Sequence, residues 1–157
     1  MNTPTDPRPK TRRRIPWFFP VPVAPNHNAW LPRRQVAFIG FLAQTRSVSE
    51  AAERVGMARQ GAYRLRQHPW AGSLAAAWDA ALGLEAAPAC IIARSCRKPN
   101  VTLDELAWRQ QVGLWRPVLR NRRLVNFAQK PCPATLFQLL ARHDRACRGV
   151  RESDAWA

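Results

Sequence analysis

Five polar side chains recur at helical spacing in the stretch "RQGAYRLRQ", and their types suit contact with DNA bases. An arginine fork pairs with O6 and N7 of guanine, and a glutamine amide pairs with N6 and N7 of adenine. A tyrosine at the same place packs on the sugar-phosphate or on a thymine methyl. The pattern predicts a base-contacting helix face, and the open alternative is that the same face meets only water in a three-helix bundle. The five residues are Arg59, Gln60, Tyr63, Arg64 and Gln67.

The preceding stretch, "SVSEAAERVGM", has the features that place such a helix. Ser47 or Ser49 can accept hydrogen bonds from free amides at a helix N-terminus, and Gly56 can take the left-handed conformation that ends a helix. Ala52 is small enough for two helices to cross at close range. The pattern therefore predicts a helix-turn-helix, with helices at about 47–55 and 58–67.

A second set of polar residues is placed to hold phosphates. Amides at the N-terminus of the first of these helices suit an anion. We expect phosphate contacts from Arg46, Ser47, Ser49 and Arg66, and additional ones from Arg12, Arg13 and Arg14 in the N-terminal arm.

The charge of the chain agrees with a polyanionic partner. Lys and Arg total 25 against 10 Asp and Glu, a formal net charge of +15 with a pI near 11.6. Neutralising phosphates with such residues releases counterions, which favours binding. Anionic lipid would also suit the charge, but no stretch reaches the ~18 apolar residues of a membrane span. We therefore expect no membrane partner and a cytoplasmic location.

The first 32 residues differ in composition from the rest. Proline removes a hydrogen-bond donor and fixes φ, so neither a helix nor a central strand is expected there. We predict a basic, proline-rich arm over 1–32, extended or disordered. Its aromatic residues, Trp17, Phe18, Phe19 and Trp30, either pack back on the body or hold a partner.

The remaining pattern is mainly helical. Apolar periodicity predicts a helix over 33–43 and another over "GSLAAAWDAALGL", residues 72–84. With the helix-turn-helix they form a domain over 33–87. A C-terminal region over 88–150 combines "ACIIARSC", a helix introduced by a Thr102–Glu105 capping box, a β-hairpin around Asn121 and a closing helix. Residues 151–157 are expected to fray. The fold class is thus mainly α, a helix-turn-helix bundle with a smaller C-terminal α+β element.

Chemistry of other kinds finds little support in the residue pattern. The four cysteines lack the paired spacing of a zinc site, so no metal and no cofactor are expected. Phosphate-loop, zinc-protease and nucleophile-elbow motifs do not occur in the sequence. Cys147 and His143 stand at i and i+4, but no residue is placed to orient them. We expect a protein that is not an enzyme.

The segment from Phe38 to Leu82 resembles phage terminase small-subunit-type proteins. "AAERVGMARQGAYRLR" stands where that group has its recognition helix, and "LAAAWDAAL" stands at the helix that follows. The resemblance implies DNA binding through Arg59, Gln60, Tyr63 and Arg64, and assembly into a homo-oligomer. The chain departs from the group at Ala58 and Gly61, where serine and threonine are common.

These observations together predict a protein that binds double-stranded DNA. The expected process is transcriptional regulation or phage-type initiation of DNA packaging. Two alternatives stay open: a non-enzymatic assembly protein whose C-terminal half docks a protein partner, and an RNA binder that uses the arginine-rich arm.

Overall fold

The computed structural model describes residues 15–24, 29–84 and 101–154, with side chains described up to residue 148. These ranges hold six helices and one antiparallel hairpin, which confirms the mainly α class with a small C-terminal α+β element. None of the helices in these ranges is long and apolar enough to cross a membrane. The elements are α1 (Pro32–Thr45), α2 (Val48–Val55), α3 (Arg59–Gln67), α4 (Gly72–Leu82), α5 (Leu103–Val112), β1 (Leu114–Arg120), β2 (Arg123–Lys130) and α6 (Pro133–Asp154).

The first four helices enclose an aromatic core. Pro32 occupies the first turn of α1, where its missing N–H has no helical partner to lose. The ring centroids of Phe38 and Trp78 lie 4.8 Å apart, and Trp30 packs edge-on against Phe38 at 5.3 Å. Leu42 and Leu74 are fully buried beside them. These contacts fix α1 against α4 and leave α2 and α3 on the outside of the pair.

Residues 15–24 of the predicted arm form neither helix nor strand, as expected, but they lie inside the fold and not in a separate arm. Phe18 exchanges two backbone hydrogen bonds with Trp115, at 3.0 and 2.8 Å. The amide of Phe19 donates to Oγ of Ser73 at 3.0 Å. Prolines remove donors here, but the amides of Phe18 and Phe19 find partners on β1 and α4, so both stay satisfied when buried. The aromatic residues of this segment pack back on the body.

Gln35 of α1 holds the same segment at a second point. Its Oε1 accepts from the amide of Val21 at 2.8 Å, and its Nε2 donates to the carbonyls of Val21 and Trp30, both at 2.7 Å. The side chain is completely buried. Since a buried amide is tolerated only when hydrogen-bonded, Gln35 and the segment depend on each other.

α5 covers the other side of the N-terminal segment. Thr102 caps α5 by accepting from the amide of Glu105 at 3.2 Å, as the capping pattern predicted. The Glu105 carboxylate pairs instead with Arg109, whose guanidinium lies 5.0 Å from the centre of the Phe19 ring. Both partners are buried, so the pair is shielded from water. Trp108 donates to the carbonyl of Pro20 at 2.7 Å.

The hairpin predicted around Asn121 is present. β1 and β2 pair from Leu114 with Lys130 to Arg120 with Arg123, with a register irregularity after Val118. Asn121 and Arg122 form the two-residue turn, both with positive φ. The hairpin packs on α1, where Leu124 approaches Gly40 so closely that a Cβ there would lie 2.6 Å from Cδ1 of the leucine.

Two boundaries differ from the sequence expectations. Trp115, Leu119 and Phe127 of the hairpin pack against the same core as α1 and α4, so the proposed division at 87/88 does not separate two cores. α6 continues to Asp154, so its last four residues fall within the stretch where fraying was expected. In this helix Asp144 and Arg148, which lie one turn apart, form an ion pair. The "ACIIARSC" helix lies outside the described residues.

Candidate nucleic-acid interface

The α2–turn–α3 unit has the geometry that the sequence pattern predicts. Ser47 caps α2 by accepting from the amide of Glu50 at 3.4 Å, and Gly56 ends it with φ of 73°. The next amide, of Met57, donates back to the carbonyl of Ala52 at 2.9 Å. Ala51 and Ala52 are buried, which allows α2 to lie close to its neighbours. The turn thereby fixes the direction in which α3 leaves α2.

α3 presents all five predicted base-contacting residues to solvent. Ala62 and Leu65 are its buried residues, and they anchor the opposite side of the helix. The exposed residues lie on one contiguous face because they recur at a spacing close to 3.6. No acidic residue occurs within α3. The exposed set is Arg59, Gln60, Tyr63, Arg64 and Gln67.

Tyr63 is positioned by the core as well as exposed. Its ring lies 5.8 Å from that of Trp78, and 44% of the residue remains accessible. Trp78 is itself fully buried against Phe38. Tyr63 therefore has one face fixed by the protein and the other free for a ligand.

Two of the predicted phosphate contacts have partners within the protein. Arg46, in left-handed conformation at the end of α1, donates to the carbonyl of Leu82 at 2.5 Å. Arg66 pairs with Asp79 at 2.8 Å and lies 5.4 Å from the Trp78 ring. Both guanidiniums join helices of the core, a role that the sequence reasoning did not identify. In the sequence, Asp79 of the "WDAAL" stretch was the residue that could have indicated an ion pair with Arg66.

Ser47 and Ser49, at the start of α2, have different surroundings. Ser47 supplies the cap, so its hydroxyl oxygen is engaged with an amide of its own helix. Ser49 is exposed in the first turn. Arg12, Arg13 and Arg14 lie outside the described residues.

Gly61 of α3 is explained by an aromatic contact that the sequence did not reveal. A Cβ at this position would lie 2.8 Å from Nε1 of Trp30, so only glycine permits the observed approach. The Trp30 N–H has no hydrogen-bond partner among the described residues. The Trp30 indole thus sets the position of α3 from its inner side.

A cavity of about 520 Å³ lies beside this contact. Val21 and Val23 line it from the N-terminal segment, and Met57, Arg64 and Leu65 line it from the turn and from α3. The cavity therefore lies between the N-terminal segment and α3, beside the contact of Trp30 with Gly61.

The two cysteines in the described part of the chain belong to no group that could hold a metal ion. Within the described ranges, no three His, Cys, Asp or Glu side chains come together. Sγ of Cys147 lies 3.7 Å from Nδ1 of His143 on the exposed side of α6, and the nearby Asp144 pairs with Arg148. Cys132 is buried, and Cys90 and Cys96 lie outside the described residues.

Comparison with known proteins adds no assignment to this geometry. No protein-family model, no curated protein and no solved structure matches the chain.

Proposed function

We propose that this protein binds double-stranded DNA and contacts base edges with the exposed face of α3. The observation that carries the proposal is the joint exposure of Arg59, Gln60, Tyr63, Arg64 and Gln67 on a helix whose other face is anchored by Ala62 and Leu65. A helix of this kind fits the width of the major groove, where arginine and glutamine distinguish base pairs.

Internal contacts decide which cations carry the interaction. Arg59 and Arg64 form no ion pair with an acidic residue in the described part of the chain, whereas Arg66 is paired with Asp79. An unpaired guanidinium reaches a base or a phosphate without first breaking an internal bond. We assign base contacts to the five α3 residues, and structural roles to Arg46 and Arg66.

The process we propose is transcriptional regulation or phage-type initiation of DNA packaging, in the cytoplasm, without an enzymatic step. The resemblance of residues 38–82 to terminase small-subunit-type proteins supports this proposal, as does the net charge of +15.

Fluorescence anisotropy tests this proposal with an Arg59→Ala/Arg64→Ala variant. A duplex selected from a random pool and an unselected duplex are titrated in parallel. Losing two bidentate contacts is expected to reduce the preference for the selected duplex by about 2 kcal/mol or more, roughly thirty-fold. Weak, salt-sensitive binding should persist.

An Arg145→Ala/Arg148→Ala variant serves as the matched control because it removes the same charge from the exposed side of α6. Equal preference ratios in the wild type and the α3 variant would overturn the proposal.

An exposed apolar surface favours a second candidate, an assembly protein that docks a partner or another copy through α6. Leu136, Phe137 and Leu140 are 41%, 68% and 56% accessible on this helix. Such exposure of large apolar side chains is typical of interaction sites. Light scattering at low and high salt tests it: an assembly through α6 should persist at high salt and be lost in Phe137→Ser.

A further inference from the structure

The two faces of the hairpin differ in character. Trp115, Leu119 and Phe127 face α1 and pack against the core. Because side chains alternate along a strand and paired residues share a face, Arg116, Arg120, Arg123 and Lys130 belong to the opposite side. The outward face of the hairpin therefore carries four cations.

An aromatic ring organises the base of this face. Trp17 lies between two of the cations, with the Arg116 guanidinium 4.7 Å and the Lys130 ammonium 4.5 Å from its ring centre. These cation–π contacts hold both side chains near the ring face without an acidic partner. They also tie the hairpin to the N-terminal segment.

Among the described residues, no acidic side chain pairs with these cations. The sequence contains none between Glu105 and Asp144. In the described residues, every ion pair lies elsewhere, on α2, α3 with α4, α5 or α6. The hairpin cations therefore have no ion-pair partner within the described part of the chain.

The turn supplies an independent observation. Arg122 has φ of 61° and follows Asn121 with φ of 49°. In such a turn Asn-Gly is the preferred pair, because a side chain is strained in the left-handed region. Local backbone preference therefore disfavours arginine at this position, and such departures are typical of functional sites.

We propose that the outward face of the hairpin is a second DNA-binding surface, which contacts the phosphate backbone of the duplex through Arg120, Arg122 and Arg123 at its tip. The proposal rests on the proposed function for the identity of the partner. One guanidinium can bind two phosphate oxygens through parallel hydrogen bonds. The two-residue turn places the three arginines close together at the narrow end of the hairpin. Phosphate contacts add affinity and carry no sequence information. The hairpin thus strengthens binding to every duplex, and α3 distinguishes among them.

The salt dependence of anisotropy titrations tests the proposal with an Arg120→Ala/Arg123→Ala variant. Each lost phosphate contact should reduce the slope of log affinity against log salt by about 1, so the slope should fall by about 2. The fall should be equal for selected and unselected duplexes, with their affinity ratio unchanged. The Arg145→Ala/Arg148→Ala variant should keep the wild-type slope. If the salt slope fell equally in the hairpin variant and in the α6 control, the effect would come from net charge alone, and the proposal would be overturned.

An Arg122→Gly variant separates binding from folding. We expect its thermal midpoint to rise, because glycine relieves the strained turn, while the salt slope falls by about 1. A higher midpoint with an unchanged slope would show that the tip does not contact DNA.

The outcomes for the hairpin and for α3 are distinguishable. If the hairpin variants keep the wild-type slope while Arg59→Ala/Arg64→Ala loses its preference, the hairpin proposal fails and the proposed function stands. If the salt slopes of the hairpin variants fall while Arg59→Ala/Arg64→Ala keeps its preference for the selected duplex, the hairpin proposal stands and base contact by α3 fails. A larger loss on single-stranded DNA or RNA than on duplex DNA would overturn the assignment of the partner as a duplex.

Discussion

At the scale of single residues, the contact between Trp30 and Gly61 explains a glycine in the middle of α3. Glycine in a helix interior costs about 1 kcal/mol relative to alanine. Here the indole of Trp30, itself only 7% accessible, occupies the place where a methyl group would stand. The glycine is therefore a consequence of packing and leaves the outer face of α3 unaffected.

The effect of Gly61→Ala on the free energy of unfolding should have opposite signs in the wild type and in a Trp30→Ala background. In the wild type it forces Trp30 out of its packed position, and we expect the protein to lose about 1 kcal/mol or more of stability. In a Trp30→Ala background the space is free, and the same change should stabilise by about 1 kcal/mol. Urea denaturation measures both. Stabilisation by Gly61→Ala in the wild type would contradict the packing account.

At the scale of elements, the N-terminal segment over 15–24 joins α1 and α4 to β1 and α5. It contacts α1 through Gln35, α4 through Ser73, β1 through Trp115 and α5 through Trp108. Since these partners come from elements distant in sequence, the segment is a structural member of the core.

Gln35→Ala should destabilise the protein by about 2–4 kcal/mol, because it leaves the Val21 amide and two carbonyls buried without partners. Gln44→Ala on the same helix is the control, since Gln44 only accepts from the exposed Arg54 at 3.3 Å. We expect the control to change stability by less than about 0.5 kcal/mol. Chemical denaturation of both variants decides the point, and equal effects would refute the anchoring role.

Local sequence rules predicted the helices well and the segment poorly, for physical reasons. Caps and turns act within a few residues: Gly56 ended α2 and Thr102 started α5, and the pairing around Asn121 lies at the predicted turn. The burial of Phe18 depends on Trp115, almost a hundred residues away, and no local pattern encodes that contact. The same holds for Arg66, whose engagement with Asp79 requires α3 and α4 to be placed first.

At the scale of the whole molecule, two surfaces with exposed cations lie on one core. α3 presents exposed arginines and glutamines beside the buried Trp78. The hairpin, which packs on α1, presents cations on its other face. In the proposed complex with DNA, the first surface contacts bases and the second contacts phosphates.

The central claim, that α3 contacts base edges, is tested most directly by selecting binding sites from a random duplex pool with the wild type and with Arg64→Ala. Arg33→Ala, an exposed arginine of α1, serves as the control. We predict that Arg64→Ala relaxes the base preference at one position of the selected site, by about 1–3 kcal/mol, and leaves the other positions unchanged. An Arg64→Ala site profile identical to those of the wild type and Arg33→Ala would contradict the claim.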